Sequence, residues 1–253
     1  TYINNNKNGF CIEYSIDKKK IFEGQFKNNI KYGLGIIYNN NEEKIYEGYI
    51  KNNKKNGFGT EYCNNNILYI GNWINNNKEG SGKLYYQIPN VIYYNGNLKE
   101  NKKHGIGTLY HKNENCKVNG QWEDDMLFYG IEYWENGIQK YEGTFKNDKY
   151  FGESTFYLEN GNLYYEGTFL DGLKHGYGKE YLNNNIIYEG DWINNYKSGY
   201  GKIYNNNILE YDGYFFNNIK SGYGKLYLKN IIYIGYLLND LYEGKGELYI
   251  NNI

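Results

Sequence analysis

The sequence contains no arginine: all 28 of its basic residues are lysine. Arginine is the side chain best suited to a bidentate grip on phosphate groups or base edges, so its absence argues against sequence-specific recognition of nucleic acid. The formal net charge of −1 also excludes a global positive field that would draw the chain onto nucleic acid. We therefore expect no nucleic-acid partner.

Cysteine, proline and long apolar runs are scarce as well. The cysteines are Cys11, Cys63 and Cys116, an odd number with no CxxC pair, which argues against a disulfide framework or a zinc site and favours a reducing, cytoplasmic compartment. No apolar run approaches the ~18 residues of a membrane helix. The Walker and dinucleotide-binding patterns are absent, and the histidines recur with no carboxylate or cysteine cluster. We therefore expect no metal, no cofactor and no enzymatic activity.

Tyrosine and glycine are abundant, with 34 and 32 residues, and they favour strands and turns over helices. An aromatic-x-Gly triplet recurs every 22 to 25 residues along the chain. Its glycines are Gly24, Gly48, Gly71, Gly96, Gly120, Gly143, Gly167, Gly190, Gly213 and Gly235. Internal repetition at this period indicates a repeat architecture.

Most copies also carry a Gly-x-Gly pair after the triplet, such as Gly57 and Gly59, and then end on a tyrosine such as Tyr62. The fifth copy departs from this pattern, because Val118 replaces its first aromatic and only Gly130 remains of the pair. The sixth copy has Ser154 at the second glycine position. We expect a local change of twist or a bend between about Gly120 and Ser154.

The unit Tyr-Glu-Gly-x-Phe/Trp, followed by a polar stretch, Gly-x-Gly and a terminal Tyr, resembles the MORN (membrane occupation and recognition nexus) repeat. The resemblance covers essentially all of residues 1–253, as a partial repeat over 1–20 and then ten repeats. We therefore predict a single MORN-repeat array. Because the chain begins inside a repeat, we expect it to be a fragment of a longer protein.

Each repeat is predicted to be a β-hairpin whose strands flank a loop of six polar residues, 51–56 in the second copy. Pairing Ile50 with Gly57 places Gly48 opposite Gly59 and Glu47 opposite Thr60. The same register gives acid and lysine pairs, which support it because opposite charges attract across strands: Glu166 with Lys179, Glu189 with Lys202 and Asp212 with Lys225. The predicted fold class is all-β, an elongated, twisted, single-layer antiparallel sheet of tandem hairpins.

Strand alternation places the first and second aromatics of each repeat and its three glycines on one face. The glycines leave a bay free of side chains, which we expect the second aromatic, for example Trp73, to fill. A long groove lined by rings would result. Its predicted partner-binding residues are Tyr141, Phe145, Tyr165, Phe169, Tyr188 and Trp192.

Half of the lysines fall in the predicted hairpin loops, which the repeat stacks along one edge of the sheet. One interpretation is a solvated edge that prevents further sheet pairing. The other is a row of positive charge that binds an anionic membrane, at ~1 kcal/mol per lysine. The candidate lipid-binding residues are Lys51, Lys54, Lys55, Lys102 and Lys103.

The first functional hypothesis is a non-enzymatic scaffold whose groove receives a partner protein, such as a helical segment. The resemblance to MORN proteins implies an adaptor in the cytoplasm, peripheral to a membrane or to the cytoskeleton, and homodimers formed through terminal repeats. Binding of anionic lipid or phosphoinositide through the lysine edge is the alternative. A regulatory role toward an enzyme elsewhere in a longer chain also stays open.

Overall fold

The computed structural model of the protein describes residues 2–3 and 5–250, and these form strands and turns without a helix. Residues 1, 4 and 251–253, which the predicted array includes, lie outside the described part. The all-β prediction is therefore confirmed for the described residues. The strands are β1 (Tyr2–Ile3), β2 (Asn6–Lys7), β3 (Gly9–Tyr14), β4 (Lys20–Lys27), β5 (Ile30–Tyr38), β6 (Lys44–Lys51), β7 (Lys54–Cys63), β8 (Asn66–Ile74), β9 (Asn77–Tyr85), β10 (Ile92–Lys99), β11 (Lys102–Tyr110), β12 (Cys116–Glu123), β13 (Met126–Tyr133), β14 (Gln139–Lys146), β15 (Lys149–Tyr157), β16 (Leu163–Leu170), β17 (Leu173–Leu182), β18 (Asn185–Ile193), β19 (Tyr196–Asn205), β20 (Ile208–Phe216), β21 (Ile219–Leu228), β22 (Ile231–Leu238) and β23 (Leu241–Ile250).

The chain divides into two compact units, Thr1–Leu127 and Phe128–Ile253. In the first unit, β1 pairs with β2, and each strand from β3 to β12 pairs antiparallel with the next strand along the chain. In the second unit the same order holds from β13 to β23. Each unit is therefore a run of tandem hairpins. The boundary between the units falls within the irregular stretch of the sequence, and the predicted bend there stays a prediction.

The register across the glycines is as predicted. Gly48 pairs with Gly59 and Glu47 with Thr60. The three acid and lysine pairs also form, Glu166 with Lys179, Glu189 with Lys202 and Asp212 with Lys225.

The register beyond Gly48 differs from the prediction that Ile50 pairs with Gly57. Ile50 instead pairs with Lys55 inside the hairpin and with Gly33 of the preceding hairpin. Residues 56–58 of β7 thus oppose Tyr49 alone, which is a bulge. Gly57 permits it, because its φ of 63° lies in the left-handed region that L side chains rarely adopt.

The predicted six-residue hairpin loops are also wrong, because each hairpin turns through two residues only. Asn52 and Asn53 form the turn between β6 and β7 with φ values of 52° and 63°, as a type I′ turn requires. Asparagine tolerates this conformation better than most residues. The lysines assigned to the loop therefore lie at strand ends or within strands.

In most hairpins, the second residue of the turn also binds the hairpin before it, through two hydrogen bonds that we call the asparagine clasp. Lys174 N donates to Asn195 Oδ1 at 2.8 Å, and Asn195 N donates to Lys174 O at 2.9 Å. Asn218 makes the same pair of bonds with the backbone of Lys197, each at 2.8 Å. The clasp satisfies backbone groups that the short turns leave free and ties successive hairpins together.

The core of each unit lies on one face of its sheet, the ring face, which carries the first and second aromatics of the repeats. The first aromatic, not the second, fills the glycine bay, so that prediction is wrong. A Cβ added at Gly190 would lie 2.7 Å from Tyr188 Oη and 2.5 Å from the Cα of Gly201. The opposite face, here called the outer face, carries the middle residues of the Gly-x-Gly pairs, such as Tyr177, Tyr200 and Tyr223, which stay about half exposed.

Candidate functional site

The rings of the second unit form a continuous edge-to-face ladder. Trp192 lies between Tyr165 and Tyr188, with ring centroids 5.7 and 5.1 Å away. Tyr188 in turn packs against Phe215 at 5.3 Å. Such perpendicular pairs align the positive edge of one ring with the negative face of the next, which stabilises the stack beyond the burial of its surface.

Hydrogen bonds fix the orientation of these rings. The Tyr188 hydroxyl donates to the carbonyl of Asp191 at 2.9 Å, on the strand that carries both residues. That carbonyl is available because the bulge after Gly190 removes Asp191 from the pairing within its hairpin. The Trp192 Nε1 group donates to the Gly178 carbonyl of the preceding hairpin at 3.2 Å. Burial raises the pKa of the Tyr188 hydroxyl, so the ring stays neutral.

The six predicted groove residues lie together, and five of them are buried. Tyr141, Tyr165 and Tyr188 are fully buried, while Phe169 and Trp192 keep 6% and 2% of their surface exposed. Phe145 is half-buried and packs against this cluster. Burial gives the five rings a role in holding the sheet together, and their contact with a partner stays a prediction.

The ring face of the second unit opens into a pocket of about 530 Å³. Phe169 and Trp192 form part of its wall, whereas the other four predicted groove residues do not line it. The full lining is Tyr150, Phe156, Tyr164, Phe169, Gly172, Lys174, Glu180, Trp192, Asn195 and Asn218. The pocket therefore combines aromatic walls with a lysine, a carboxylate and turn asparagines.

One carboxylate in this pocket holds two lysines. Glu180 accepts Lys174 Nζ at 2.6 Å and Lys197 Nζ at 3.1 Å. Lys174 also lies over Trp192, with its Nζ 4.4 Å from the ring centroid, and donates to the Tyr164 hydroxyl at 3.1 Å. Burial alone raises the pKa of the Glu180 carboxyl, but the hydrogen bonds from the lysines outweigh it and hold the pKa below its ordinary value. The group is thus a fixed anion between two fixed cations.

The first unit repeats this arrangement. Glu61 accepts Lys55 Nζ and Lys78 Nζ, each at 2.8 Å. Lys55 lies over Trp73 at 4.4 Å from the ring centroid, as Lys174 does over Trp192. Glu13 holds Lys7 and Lys31 at 2.9 and 2.8 Å.

The five lysines predicted as a lipid-binding edge separate into two groups. The first group is exposed beside the hairpin turns and consists of Lys51, Lys54 and Lys102. The Lys102 Nζ atom lies 3.8 Å from Asp124 Oδ2. Lys55 and Lys103 instead turn onto the ring face, Lys103 with its Nζ 4.4 Å from the Trp122 centroid. The structure therefore does not bring all five into one exposed row.

The sequence-based predictions missed the bridging glutamates and the pocket residues Tyr150 and Tyr164. A signal for the glutamates was present: in Lys7 with Glu13, Lys55 with Glu61 and Lys174 with Glu180, the lysine precedes the glutamate by six residues. No comparable signal marks Tyr150, which replaces the repeat's lysine and donates to Glu132 at 2.7 Å.

Metal-binding clusters and membrane-spanning helices are both absent from residues 2–3 and 5–250. No three His, Cys, Asp or Glu side chains of these ranges are placed together so as to hold a metal ion. Within the same ranges, no helix has the length and apolar character needed to cross a bilayer.

Comparison with protein families gives one match. The family model for the MORN repeat matches nine segments, which are residues 22–41, 46–67, 69–88, 94–116, 141–163, 165–186, 188–207, 211–230 and 233–252. The segment left unmatched between 116 and 141 contains the irregular fifth copy with Val118. A search of curated proteins gives no match to the chain.

Proposed function

Because the chain belongs to the MORN repeat family, we propose that it is a non-enzymatic scaffold that binds a segment of a partner protein on its ring face. Repeats of this family serve in general as modules for interaction with proteins and lipids, and they are typically non-enzymatic. The partner segment is an apolar stretch, such as one face of a helix, that places side chains between the rings.

The observation that carries this proposal is the pocket on the ring face of the second unit. Its volume of about 530 Å³ accommodates several side chains of a partner. Its half-buried walls, Phe156 and Tyr164, offer apolar surface that the fold itself does not cover. Aromatic residues in such pockets are the side chains that most often dominate binding energy.

Peptide display tests this proposal for a partner segment of any sequence. Random peptides of about 20 residues, long enough to span about 30 Å as a helix, are selected on the protein and measured against two variants. Tyr164→Ala removes a pocket wall, and we expect it to weaken binding by about 30-fold, the loss of one aromatic contact worth ~2 kcal/mol.

Tyr177→Ala is the matched control, because it removes an aromatic ring that is half exposed on the outer face. We expect it to leave binding unchanged, with circular dichroism used to verify that both variants are folded. Selected peptides that tolerate Tyr164→Ala but lose affinity in Tyr177→Ala would contradict the proposal and favour the outer face.

Binding of anionic lipid is the alternative function, with the exposed Lys51, Lys54 and Lys102 as its natural contacts. Sedimentation with phosphatidylserine vesicles compares the protein with the variant Lys54→Glu, Lys102→Glu. Binding that the double substitution abolishes would support a lipid surface. A cytoplasmic location beside a membrane or the cytoskeleton, and homodimers through terminal repeats, also belong to the proposal.

A further inference from the structure

Lysines outnumber the carboxylates that pair with them on the ring face. In the second unit, Lys174 and Lys197 share the single carboxylate of Glu180. In the first unit, Lys55 and Lys78 share Glu61 in the same way. Each such group keeps a surplus positive charge, although the whole chain has a net charge of −1.

In the part of the chain that the structure describes, two lysines on the ring face have no carboxylate within ion-pair distance of the ammonium group. Among the described residues, no acidic side chain lies within ion-pair distance of Lys220 Nζ, which is 5.4 Å from the Tyr211 ring centroid. The Asp240 carboxylate accepts from Lys220 N at 3.0 Å, and Asp240 N donates to Lys220 O at 3.0 Å. Lys103 likewise lies over Trp122 and Tyr93 without an ion pair to any described residue.

Sequence explains the missing partner. The position that holds Glu180 in its own repeat is occupied by Leu226 in the repeat of Lys220 and by Ile203 in the repeat before it. In the first unit, Leu109 and Leu84 take the corresponding places around Lys103. The cation is therefore held over rings, where it is partly removed from water, and no carboxylate at this position neutralises it.

We infer that the segment bound on the ring face is acidic, and that one of its carboxylates pairs with Lys220. This inference rests on the proposed function and names the chemical class of the partner: a protein segment that combines apolar side chains with aspartate or glutamate. A carboxylate above Lys220 would form a charge-assisted hydrogen bond and would occupy the place that Glu180 takes beside Lys197.

The strand spacing sets the distance between acidic positions on such a segment. Lys197 and Lys220 lie on β19 and β21, two strands apart, which corresponds to about 10 Å. A helix rises about 10.5 Å in seven residues, and an extended chain covers about 10 Å in three. Carboxylates are therefore expected seven residues apart in a helical partner, because residues three apart in an extended chain point to opposite faces.

The displayed peptides also test the inference. Peptides selected on the protein should be enriched in aspartate and glutamate relative to the starting library, and their binding should weaken as salt rises. Lys220→Met should weaken binding about fivefold, the loss of one ion pair worth ~1 kcal/mol. Lys220→Glu adds repulsion and should weaken it further.

Lys229→Glu is the matched control, because it makes the same change of charge at an exposed turn. We expect it to leave peptide binding unchanged, with circular dichroism checking the fold of every variant. Peptides that bind the ring face, as judged by Tyr164→Ala, but are neither acidic nor sensitive to Lys220→Glu would overturn the inference and leave the proposed function intact.

Two other outcomes would also overturn the inference. Selected peptides insensitive to both Tyr164→Ala and Lys220→Glu would overturn the inference together with the proposed function. A second outcome is that phosphatidylserine vesicles bind the protein, that Lys220→Glu abolishes this binding, and that no acidic peptide is selected. This result would assign Lys220 to a lipid headgroup and overturn the inference that the partner is an acidic protein segment.

Discussion

Gly201→Ala tests the packing on which the ring face depends. A Cβ at Gly201 would lie 2.5 Å from Tyr188 Oη and 2.7 Å from two carbons of the same ring. The ring cannot easily retreat, because Trp192 and Phe215 pack against it at 5.1 and 5.3 Å and its hydroxyl is hydrogen-bonded to Asp191 O. Overpacking of this kind costs about 1–3 kcal/mol, and with several close contacts we expect the upper end.

The free energy of unfolding is measured by urea denaturation, followed through circular dichroism and tryptophan fluorescence. Gly137→Ala is the control, because a Cβ there meets nothing within 4 Å and leaves only the backbone cost at a φ of 85°, about 1 kcal/mol. Tyr188→Phe keeps the ring and removes only the hydroxyl, at a cost of about 1 kcal/mol. The fully buried Phe22 already occupies the equivalent position in the first complete repeat. If Gly201→Ala costs no more than Gly137→Ala, the reasoning about the bay is wrong.

The lysine groups, the buried tyrosines and the clasp each give a further prediction. Glu180→Gln should lower the free energy of unfolding at neutral pH by about 2 kcal/mol; because the carboxyl pKa is held below its ordinary value of 4.5, that difference should shrink as pH falls below about 4.5 in urea titrations. Burial raises the pKa of several tyrosine hydroxyls to about 12, so the stability that their neutral form contributes is complete below the ordinary pKa of 10.0 and is lost as pH rises toward 12. Tyrosinate absorbance should therefore rise in two steps, the later one for Tyr69, Tyr94 and Tyr211. Asn195→Gly removes the acceptor for Lys174 N and should speed hydrogen exchange of that amide.

Each of these has its own internal check. In the acid titration, a difference between Glu180→Gln and the unsubstituted protein that does not shrink as pH falls below about 4.5 would contradict the linkage. A single tyrosinate step near the ordinary pKa would contradict the burial of the rings. In Asn195→Gly, the amide of Lys197 is the control because Asn218 binds it at 2.8 Å, and faster exchange there too would indicate a wider loss of structure.

The sequence is sufficient to predict the hairpins and their register at the glycines, because both follow from patterns that recur along the chain. Opposite charges such as Glu189 and Lys202 mark the register directly. The bulge at Gly57 is harder to foresee, since it adds residues to one strand only and is revealed by the backbone conformation rather than by residue type.

The errors in the predicted site have two causes. A polar stretch such as 51–56 predicts a six-residue loop, but paired asparagines make a two-residue turn and leave Lys55 on a strand. Lys55 then turns toward Trp73 instead of the solvent. The pocket walls Tyr150 and Tyr164 lie on separate strands of different hairpins, and only tertiary packing brings them together.

The asparagine clasp has a direction, and this bears on how the chain folds as it is made. In the clasps of the second unit, the later hairpin supplies the side-chain acceptor and the earlier one supplies the lysine backbone, as Asn195 does for Lys174, Asn218 for Lys197 and Asp240 for Lys220. A nascent chain emerges from the ribosome N-terminus first, so each new hairpin meets a docking edge that is already formed. The array can therefore grow one hairpin at a time during synthesis, without waiting for residues still to be translated.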